Sequence, residues 1–462
     1  MAEEHSRVGL VIFLVGLTQL IITTDFSIVS VALPSIGAQL QIVPSSLSWV
    51  ISAAALTGGG FLILAGRAAD IFGQRRCLLV GLTLFAVGSL GSALAPGLPT
   101  LIAARALQGL GAAILGPANF SLINTLVPPG APRRRALGVF GVMQGLSLVI
   151  GLLIGGALTT SVGWRAVFLL NPPIALLAIF ITLRAVPGPA AEAIATSRRV
   201  DWMGALLIVA GMALGLLGIS TMGREGLSPR AITLVAGALV SFVAFFIVEG
   251  RVEAPLAPLS MFGRRNFTTA NLILILHLGG IGGVFVLLSL YMQTGLHMSA
   301  FRSGLGMMPY AAFVMLAGQI APGVMARMSH RAIVFISFGL YAVGLCLFAL
   351  LSQQPNYWLA VALGSVVTAL GATSAFVALM ADATADIPEA QQGAASAVLF
   401  TAQQIGIPLG ATAALAMLGV SGSLGLVAFR NAYALIAAVV ICGLLLALTT
   451  LRPTPAAVPI TT

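Results

Sequence analysis

The sequence predicts an all-α integral membrane protein with fourteen transmembrane helices, and three observations support this class. Hydrophobic residues make up 59% of the 462 residues and charged residues only 7%, whereas soluble domains contain about 25% charged residues. The apolar residues fall into fourteen stretches, most of them close to the roughly 20 residues that cross the hydrocarbon core. The arginines lie almost entirely in the short connections between those stretches.

Each stretch is taken as one transmembrane segment. In chain order, segments 1 to 14 cover residues 8–33, 47–66, 77–96, 99–127, 135–160, 165–186, 202–222, 229–249, 267–292, 302–326, 331–352, 357–381, 393–420 and 430–451. Segment 1 is not expected to be a cleaved signal peptide, because Glu3 and Glu4 precede it and its apolar run is too long. Proline and glycine recur in several segments, and membrane helices tolerate both.

The arginine distribution predicts the orientation of the chain. Sixteen of the 22 arginines fall in connections on the side of the two termini. Only five fall on the opposite side, at Arg165, Arg224, Arg230, Arg302 and Arg430. Because cytoplasmic loops carry the excess of positive charge, both termini are expected in the cytoplasm.

Composition also excludes several classes of function. The net charge of +10 belongs to loop arginines and does not indicate a nucleic-acid partner. The chain contains no lysine, so it holds neither a Walker A loop nor a Schiff-base lysine. No cluster of histidine, cysteine and acidic residues has metal-ligand or nucleophile–base spacing, so no metal, cofactor or enzymatic activity is expected. A membrane sensor or scaffold is disfavoured because no signalling motif or long soluble appendage is visible.

The two ends of the chain resemble each other. A shift of 257 residues aligns the end of segment 2 and its loop with the end of segment 10, placing Gly66 on Gly323. Segments 5 and 13 share a face of spaced glycines, represented by Gly151 in one and Gly406 in the other. Repeated halves of this kind form alternating-access transporters with a central site near the midplane.

The repeat predicts a domain organisation. Residues 1–186 would form one six-helix bundle and residues 267–462 a second, with segments 7 and 8 (187–266) inserted between them. Nothing in the sequence requires more than a monomer in the bilayer.

Asp25 is the acidic residue deepest in an apolar segment. An ionised carboxylate in hydrocarbon costs about 2.5–3.5 kcal/mol on insertion scales, so it is retained for a reason. At 1.5 Å per residue, Asp25 lies about 12 Å from the outer end of segment 1 and Arg105 about 9 Å from the outer end of segment 4. The matching depths predict a pair, which is either a reversible proton site or a static salt bridge joining two helices.

The loop after segment 2, GRAADIFGQRR, has two interpretations. Gly66 and Gly73 allow a tight turn and close helix contact, and Asp70 can cap a helix and release it when two halves move. Arg75 and Arg76 end the loop. The alternative is an ordinary charged loop.

Four side chains inside segments are candidates for a substrate cavity. His277 lies near mid-bilayer, where an imidazole can bind substrate or relay protons. Gln144 is a polar residue on an apolar segment, and Met307 and Tyr310 can line an adaptable apolar pocket. Each has a plainer alternative, either hydrogen bonding between helices or core packing.

Five motifs in chain order resemble those of the fourteen-helix drug:proton antiporters of the major facilitator superfamily. TTDFSIVSVALPSI (23–36) resembles the family's segment 1 motif, GRAADIFGQRR (66–76) its loop signature and LIAARALQGLGAA (101–113) its segment 4 motif. WRAVFLLNPP (164–173) and DWMG (201–204) are similar to later family sequences. The resemblance extends over the whole chain.

The resemblance implies roles for these positions. Asp25 and Arg105 would take part in proton coupling, and Asp70 with its arginines would gate the cytoplasmic ends of segments 2 and 11–13. The segment 4 motif adds Gln108, Gly109 and Gly111. The implied protein is a proton-coupled exporter of lipophilic small molecules in the cell membrane, built from two six-helix bundles with an inserted pair of helices.

Segment 5 departs from the family pattern. Its glycines include Gly151, Gly155 and Gly156, but Ser147 replaces one glycine and Leu152 replaces the proline. Small residues still allow close helix packing, whereas the bend that proline would impose is lost. Export of a single metabolite or self-made antibiotic, by antiport or another mode, therefore remains the alternative.

Overall fold

The protein is described by a computed structural model over residues 2–62, 64–65, 68, 72–128, 130–187, 202–252, 259–325, 327–328, 330–351, 356–385, 387–388, 392–420 and 425–450. These residues are almost entirely α-helical, with short 3₁₀ and π turns.

The first half of the chain contains α1 (Ala2–Leu40), α2 (Trp49–Gly60), α3 (Gln74–Ala93), α4 (Leu98–Leu126), α5 (Ala131–Ser161) and α6 (Asn171–Ala185). Two helices follow, α7 (Trp202–Glu225) and α8 (Pro229–Glu249). The second half contains α9 (Arg265–Leu290), α10 (Met308–Met325), α11 (His330–Leu351), α12 (Gly364–Ala385), α13 (Gln392–Val420) and α14 (Leu426–Thr450). Short helices at Pro44–Leu47, Arg165–Leu169 and Ala300–Gly306 precede α2, α6 and α10.

Twelve helices in the described part of the chain are long and apolar enough to cross a bilayer. The predicted segments 47–66 and 135–160 are not among them. The helix described within segment 47–66 ends at Gly60. Within segment 135–160, the apolar stretch of described residues is Leu146–Ser161, which is shorter than a membrane span. The chain is therefore a multi-pass helical membrane protein, and the count of fourteen stays a prediction.

The helices pack as two groups with reciprocal contacts. In the first group, α1 packs on α5 and α6, and α4 packs between α2 and α3. In the second, α9 packs on α13 and α14, and α12 packs on α10 and α11. Across the groups, α2 contacts α13, α5 contacts α10 with its preceding short helix, and α1 contacts α9.

α7 lies against both groups. It packs on α2, where Gly60 has no Cβ and lets Val209 approach, and on α13, where Gly223 lies against Ala416. α8 packs on α7 and exposes apolar side chains such as Leu239 and Val240. Such a surface suits contact with lipid.

Candidate functional site

The site forms around the middle of α1, and α5 holds that helix in place. Gly151 and Gly155 face α1 so closely that a Cβ at either position would overlap Ser27 or Ile28. Small residues let membrane helices approach at the backbone. These two glycines, which belong to the glycine face predicted for segment 5, thus fix the position of α1 at the level of Asp25.

α4 is positioned in the same way between α2 and α3. A Cβ at Gly109 would collide with the carbonyl of Ala54, and one at Gly111 would lie 2.6 Å from the backbone nitrogen of Phe85. Arg105 lies on α4 one turn before Gly109 and is 2% exposed. These glycines therefore bring the guanidinium into the interior of the first group of helices.

Asp25 and Arg105 form a buried ion pair. Arg105 Nη1 lies 2.6 Å from Asp25 Oδ2, and Arg105 Nε donates to the carbonyl of Val50 at 2.8 Å. Gln108 bridges the pair, because its Oε1 accepts from Arg105 Nη1 at 2.7 Å and its Nε2 donates to Asp25 Oδ1 at 2.7 Å. The Arg105 guanidinium also lies 5.7 Å from the ring centre of Phe168.

Two further side chains complete this group. Asn171 Nδ2 donates to Ser89 Oγ at 2.9 Å and lies 3.4 Å from Asp25 Oδ1. Ser89 in turn donates to the carbonyl of Phe168 at 2.9 Å. The five side chains of Asp25, Ser89, Arg105, Gln108 and Asn171, all buried, are called the polar cluster below.

The polar cluster pairs one acidic side chain with one basic side chain in the interior of the first group of helices. One carboxylate and one guanidinium give it no net formal charge, and each carboxylate oxygen accepts at least one N–H. A proton on Asp25 would remove its attraction for Arg105 and leave the guanidinium as an uncompensated buried charge. Breaking a buried pair from one side typically costs about 3–5 kcal/mol, which is enough to shift a conformational equilibrium.

The predicted gating loop is only partly described. Gly66 and Asp70 lie outside the described residues. Gly73 precedes α3 with φ of 85°, a conformation that favours glycine, as a tight turn requires. Arg75 donates to the carbonyl of Leu183 in α6 at 3.2 Å, and Arg76 is exposed.

A different side of α5 contacts the second group of helices. Gly156 lies against Ala300 and Phe301, and Gly304 lies directly against the carbonyl of Leu152. The Phe301 amide donates to Thr160 Oγ1 at 2.9 Å. Leu152, where the resemblance expects proline, is thus part of the contact between the two groups.

The candidate cavity residues whose side chains are described, His277, Met307 and Tyr310, are buried in the second group of helices. The side chain of Gln144 lies outside the described part. His277 is fully buried among the rings of Phe338, Tyr341 and Phe376. The ring contact of Tyr310 is with Phe285.

Tyr310 contacts Phe285 with ring centres 5.1 Å apart, and Met307 is fully buried in the second group of helices. A cavity of about 50 Å³ lies between α7, α8 and α13, and none of the three candidates with described side chains lines it. Its walls are apolar and include Gly211, Phe242 and Pro408.

Sequence reasoning missed Ser89 and Asn171 as members of the polar cluster. Asn171 begins the NPP sequence at the start of α6, close to the outer end of its segment. Its depth matches that of Asp25 and Arg105, so the depth comparison that paired those two would also have found Asn171. Ser89 gives no such signal, because serine in a membrane helix commonly bonds to its own backbone.

Comparisons with known proteins agree with this architecture. The profile of the Major Facilitator Superfamily matches residues 15–411 and 270–461. The chain is 34% identical over 408 residues to the cephamycin export protein CmcT of Amycolatopsis lactamdurans, covering 88% of this chain and 84% of that protein. It is 34% identical to the puromycin resistance protein pur8 of Streptomyces alboniger, covering 87% and 80%.

The lincomycin resistance protein of Streptomyces lincolnensis is also 34% identical, with 88% of this chain and 83% of that protein covered. Among solved structures, a D-xylose–proton symporter superposes with a TM-score of 0.69 at 16% identity, covering 97% of this chain and 99% of that one. At this identity the superposition bears on the fold alone.

Proposed function

The chain belongs to the Major Facilitator Superfamily, and from that membership we propose that it is a proton-coupled antiporter that exports lipophilic small molecules by alternating access. It is a transporter rather than an enzyme, because its relatives include antibiotic export and resistance proteins of this superfamily. The observation that carries the proton coupling is the polar cluster, in which a buried carboxylate faces a buried guanidinium at 2.6 Å.

The proposed cycle uses the polar cluster as its proton site. In the outward-facing state a proton from outside binds Asp25 and weakens its bonds to Arg105 and Gln108. The two groups of helices then rock, Asp25 faces the cytoplasm, and the carboxylate returns the proton as Arg105 attracts it again. Substrate moves outward on the opposite half of the cycle.

Polar contacts join the two groups of helices at one end. These contacts include Gln293 Nε2 to the Val31 carbonyl at 2.9 Å, the Phe301 amide to Thr160, and Ser52 Oγ to Thr412 Oγ1 at 3.3 Å. In the proposed orientation all three lie in the outer parts of their helices. The two groups are thus closed together on the outer side.

We propose the fourteen-helix arrangement and the domain boundaries given by the repeat, with α7 and α8 as the inserted pair. The reciprocal contacts of α2 with α13 and of α5 with α10 support two related halves. The positive-inside rule supports cytoplasmic termini, and a location in the cell membrane follows from an export role. Cysteine probes along α8 should be insensitive to substrate, and protection there would contradict this arrangement.

A second candidate is export of one specific antibiotic or metabolite. The observation in its favour is that three relatives are named for single compounds, cephamycin, puromycin and lincomycin. A relative of 31% identity from Mycobacterium tuberculosis is a multidrug resistance protein B homolog, which favours a broader range. Competition among a panel of dyes and antibiotics distinguishes the two, because a single-substrate exporter is inhibited by one chemical family only.

The test of proton coupling uses purified protein in proteoliposomes under an imposed pH gradient. Asp25→Asn removes the titratable group and keeps the size of the side chain. We expect it to bind substrate but to lose gradient-driven transport. The matched control is Glu225→Gln, which neutralises a carboxylate in an exposed pair 3.6 Å from Arg230 and should transport normally. Active transport by Asp25→Asn at the wild-type rate would refute the proton-site assignment.

A further inference from the structure

We propose that the apolar cavity between α7, α8 and α13 binds the end of a lipid acyl chain. The cavity holds about 50 Å³, whereas pockets for drug-sized molecules hold about 300–1,000 Å³. It therefore has room for the end of a hydrocarbon chain and not for a whole drug-sized substrate. The site is separate from the polar cluster, and the proposal does not depend on proton coupling.

Three helices surround the cavity, and two of them leave space there. Gly211 and Gly215 lie one turn apart on α7 and have no side chains to fill the gap. Phe242 of α8 closes one side, because its ring lies 3.1 Å from the position that a Cβ at Gly211 would occupy. On α13 the wall includes Pro408, which provides no N–H for the carbonyl of Gln404 and whose compact ring leaves the gap open.

The chemistry of the walls selects a hydrocarbon. The lining residues are glycine, proline, methionine, leucine, isoleucine and phenylalanine, and none of these described side chains carries a charge or a strong hydrogen-bonding group. A polar ligand or a water molecule would lose its hydrogen bonds there. A void forfeits the dispersion contacts of its lining atoms, and methylene groups restore those contacts without losing hydrogen bonds.

The depth of the cavity identifies the hydrocarbon that is available to it. Gly211 and Gly215 lie about 14 and 20 Å from the start of α7, a helix of 24 residues that is about 36 Å long. The hydrocarbon core is about 30 Å thick, so the acyl chains of the two leaflets end about 15 Å from either edge. The cavity thus lies at the level where acyl chains end.

The lipid-facing side of α8 leads to the cavity. Gly215, Phe242 and Leu409 in its wall are half-buried. Leu239 and Phe246, three residues before and four after Phe242, lie on the same face of α8 and are 63% and 44% exposed. An apolar surface therefore continues from the lipid to the cavity wall. An acyl chain that lies along this surface can place its end between α8 and α13.

The test is photolabelling of the protein in nanodiscs of phosphatidylcholine. One probe lipid carries a diazirine at the end of an acyl chain, and a second carries it next to the ester carbonyl. We expect the first probe to label peptides containing Met212, Phe242 or Leu409, called the cavity peptides, at least threefold more than the second. Equal labelling of the cavity peptides by both probes, or labelling by neither, would overturn the proposal.

Two substitutions change the cavity in opposite directions. Gly215→Val places a side chain in the cavity, and its Cβ would lie in ordinary contact with Ala238, at 3.7 Å. It should reduce labelling of the cavity peptides by the first probe at least threefold. Phe242→Leu enlarges the cavity and should increase that labelling. Gly339→Val in α11 is the matched control and should leave it unchanged, because a Cβ there meets nothing within 4 Å.

The outcomes separate a lipid site from the alternatives. Labelling in Gly215→Val equal to that in Gly339→Val, or reduced labelling in Phe242→Leu, would show that the acyl chain binds outside the cavity. An excess of tetraphenylphosphonium, a lipophilic monocation, should not reduce labelling. A reduction would assign the cavity to solutes and overturn the lipid assignment. Because labelling needs no pH gradient, these results are independent of whether transport is proton-coupled.

Discussion

Gln108 is the side chain whose loss most directly tests how the polar cluster is held together. It accepts from Arg105 at 2.7 Å and donates to Asp25 at 2.7 Å, and its contact with Ser89 at 3.4 Å is long. Gln108→Leu has a similar volume and removes both short bonds. Arg105 Nη1 then loses the acceptor that Gln108 Oε1 provides, and the Asp25 carboxylate loses the donor that Gln108 Nε2 provides.

The two lost bonds set the expected magnitude. Hydrogen bonds to charged groups contribute about 1.5–3 kcal/mol each, and bonds in one network are not additive. We expect a loss of about 2–4 kcal/mol in the stability of the closed cluster. If 2 kcal/mol falls on the rate-limiting step of the cycle, gradient-driven transport decreases about 30-fold.

The assay is transport in proteoliposomes together with thermal unfolding in detergent. Gln41→Leu is the matched control, since Gln41 is exposed, directly follows α1 at its outer end and lies outside the polar cluster. We expect its transport and melting temperature to change little. A Gln108→Leu protein with unchanged transport and unchanged melting temperature would show that the polar cluster does not depend on this bridge.

Three other perturbations have defined outcomes. Arg105→Lys should reduce transport at least tenfold in the same assay, because one ammonium does not reproduce the directed bonds to both Asp25 and the Val50 carbonyl. Gly304→Ala should weaken the outer contact by about 1–3 kcal/mol, because its methyl group meets the Leu152 carbonyl, and should increase outer cysteine labelling. Cells should be protected against monocationic lipophilic compounds better than against matched dications, because the stretch from residue 303 to 326 carries no acidic residue to neutralise a second charge.

The two substitutions each have a matched control variant. Arg165→Lys is expected to transport normally, since Arg165 bonds to the Ala95 carbonyl and to Gln39 and not to a carboxylate. Gly323→Ala should leave labelling unchanged, since a Cβ there meets nothing within 4 Å. Wild-type transport by Arg105→Lys, unchanged labelling in Gly304→Ala, or equal protection against mono- and dications would each contradict the corresponding argument.

The sequence predicted the bounds of α7 and α8 closely, because each is one apolar run that ends at a glutamate. The predicted segment 229–249 coincides with α8, and 202–222 falls three residues short of the end of α7. Segment 1 was predicted at 8–33, whereas α1 covers Ala2–Leu40. The helix continues beyond the apolar run because backbone hydrogen bonding does not stop at the edge of the hydrocarbon.

The sequence predicted those parts of the site that the depth of a residue along its membrane segment is enough to identify. Asp25 and Arg105 have matching depths and are in contact, although the proton-coupling role assigned to them stays a prediction. Ser89 belongs to the polar cluster because its side of α3 faces Gln108 and Asn171. A single sequence does not show which side of a helix faces its neighbours. His277 illustrates the same limit, since its mid-bilayer depth suggested a cavity and its side chain points instead into an aromatic core.

The central claim is that substrate and protons move in opposite directions through one protein. The most direct measurement is internal pH, recorded with a trapped dye in proteoliposomes, when substrate is added outside in the absence of a pre-formed gradient. Substrate entry should drive protons out, so that the interior becomes alkaline, and Asp25→Asn vesicles should show no pH change. Acidification of the interior, or substrate entry with no pH change in the wild type, would contradict antiport.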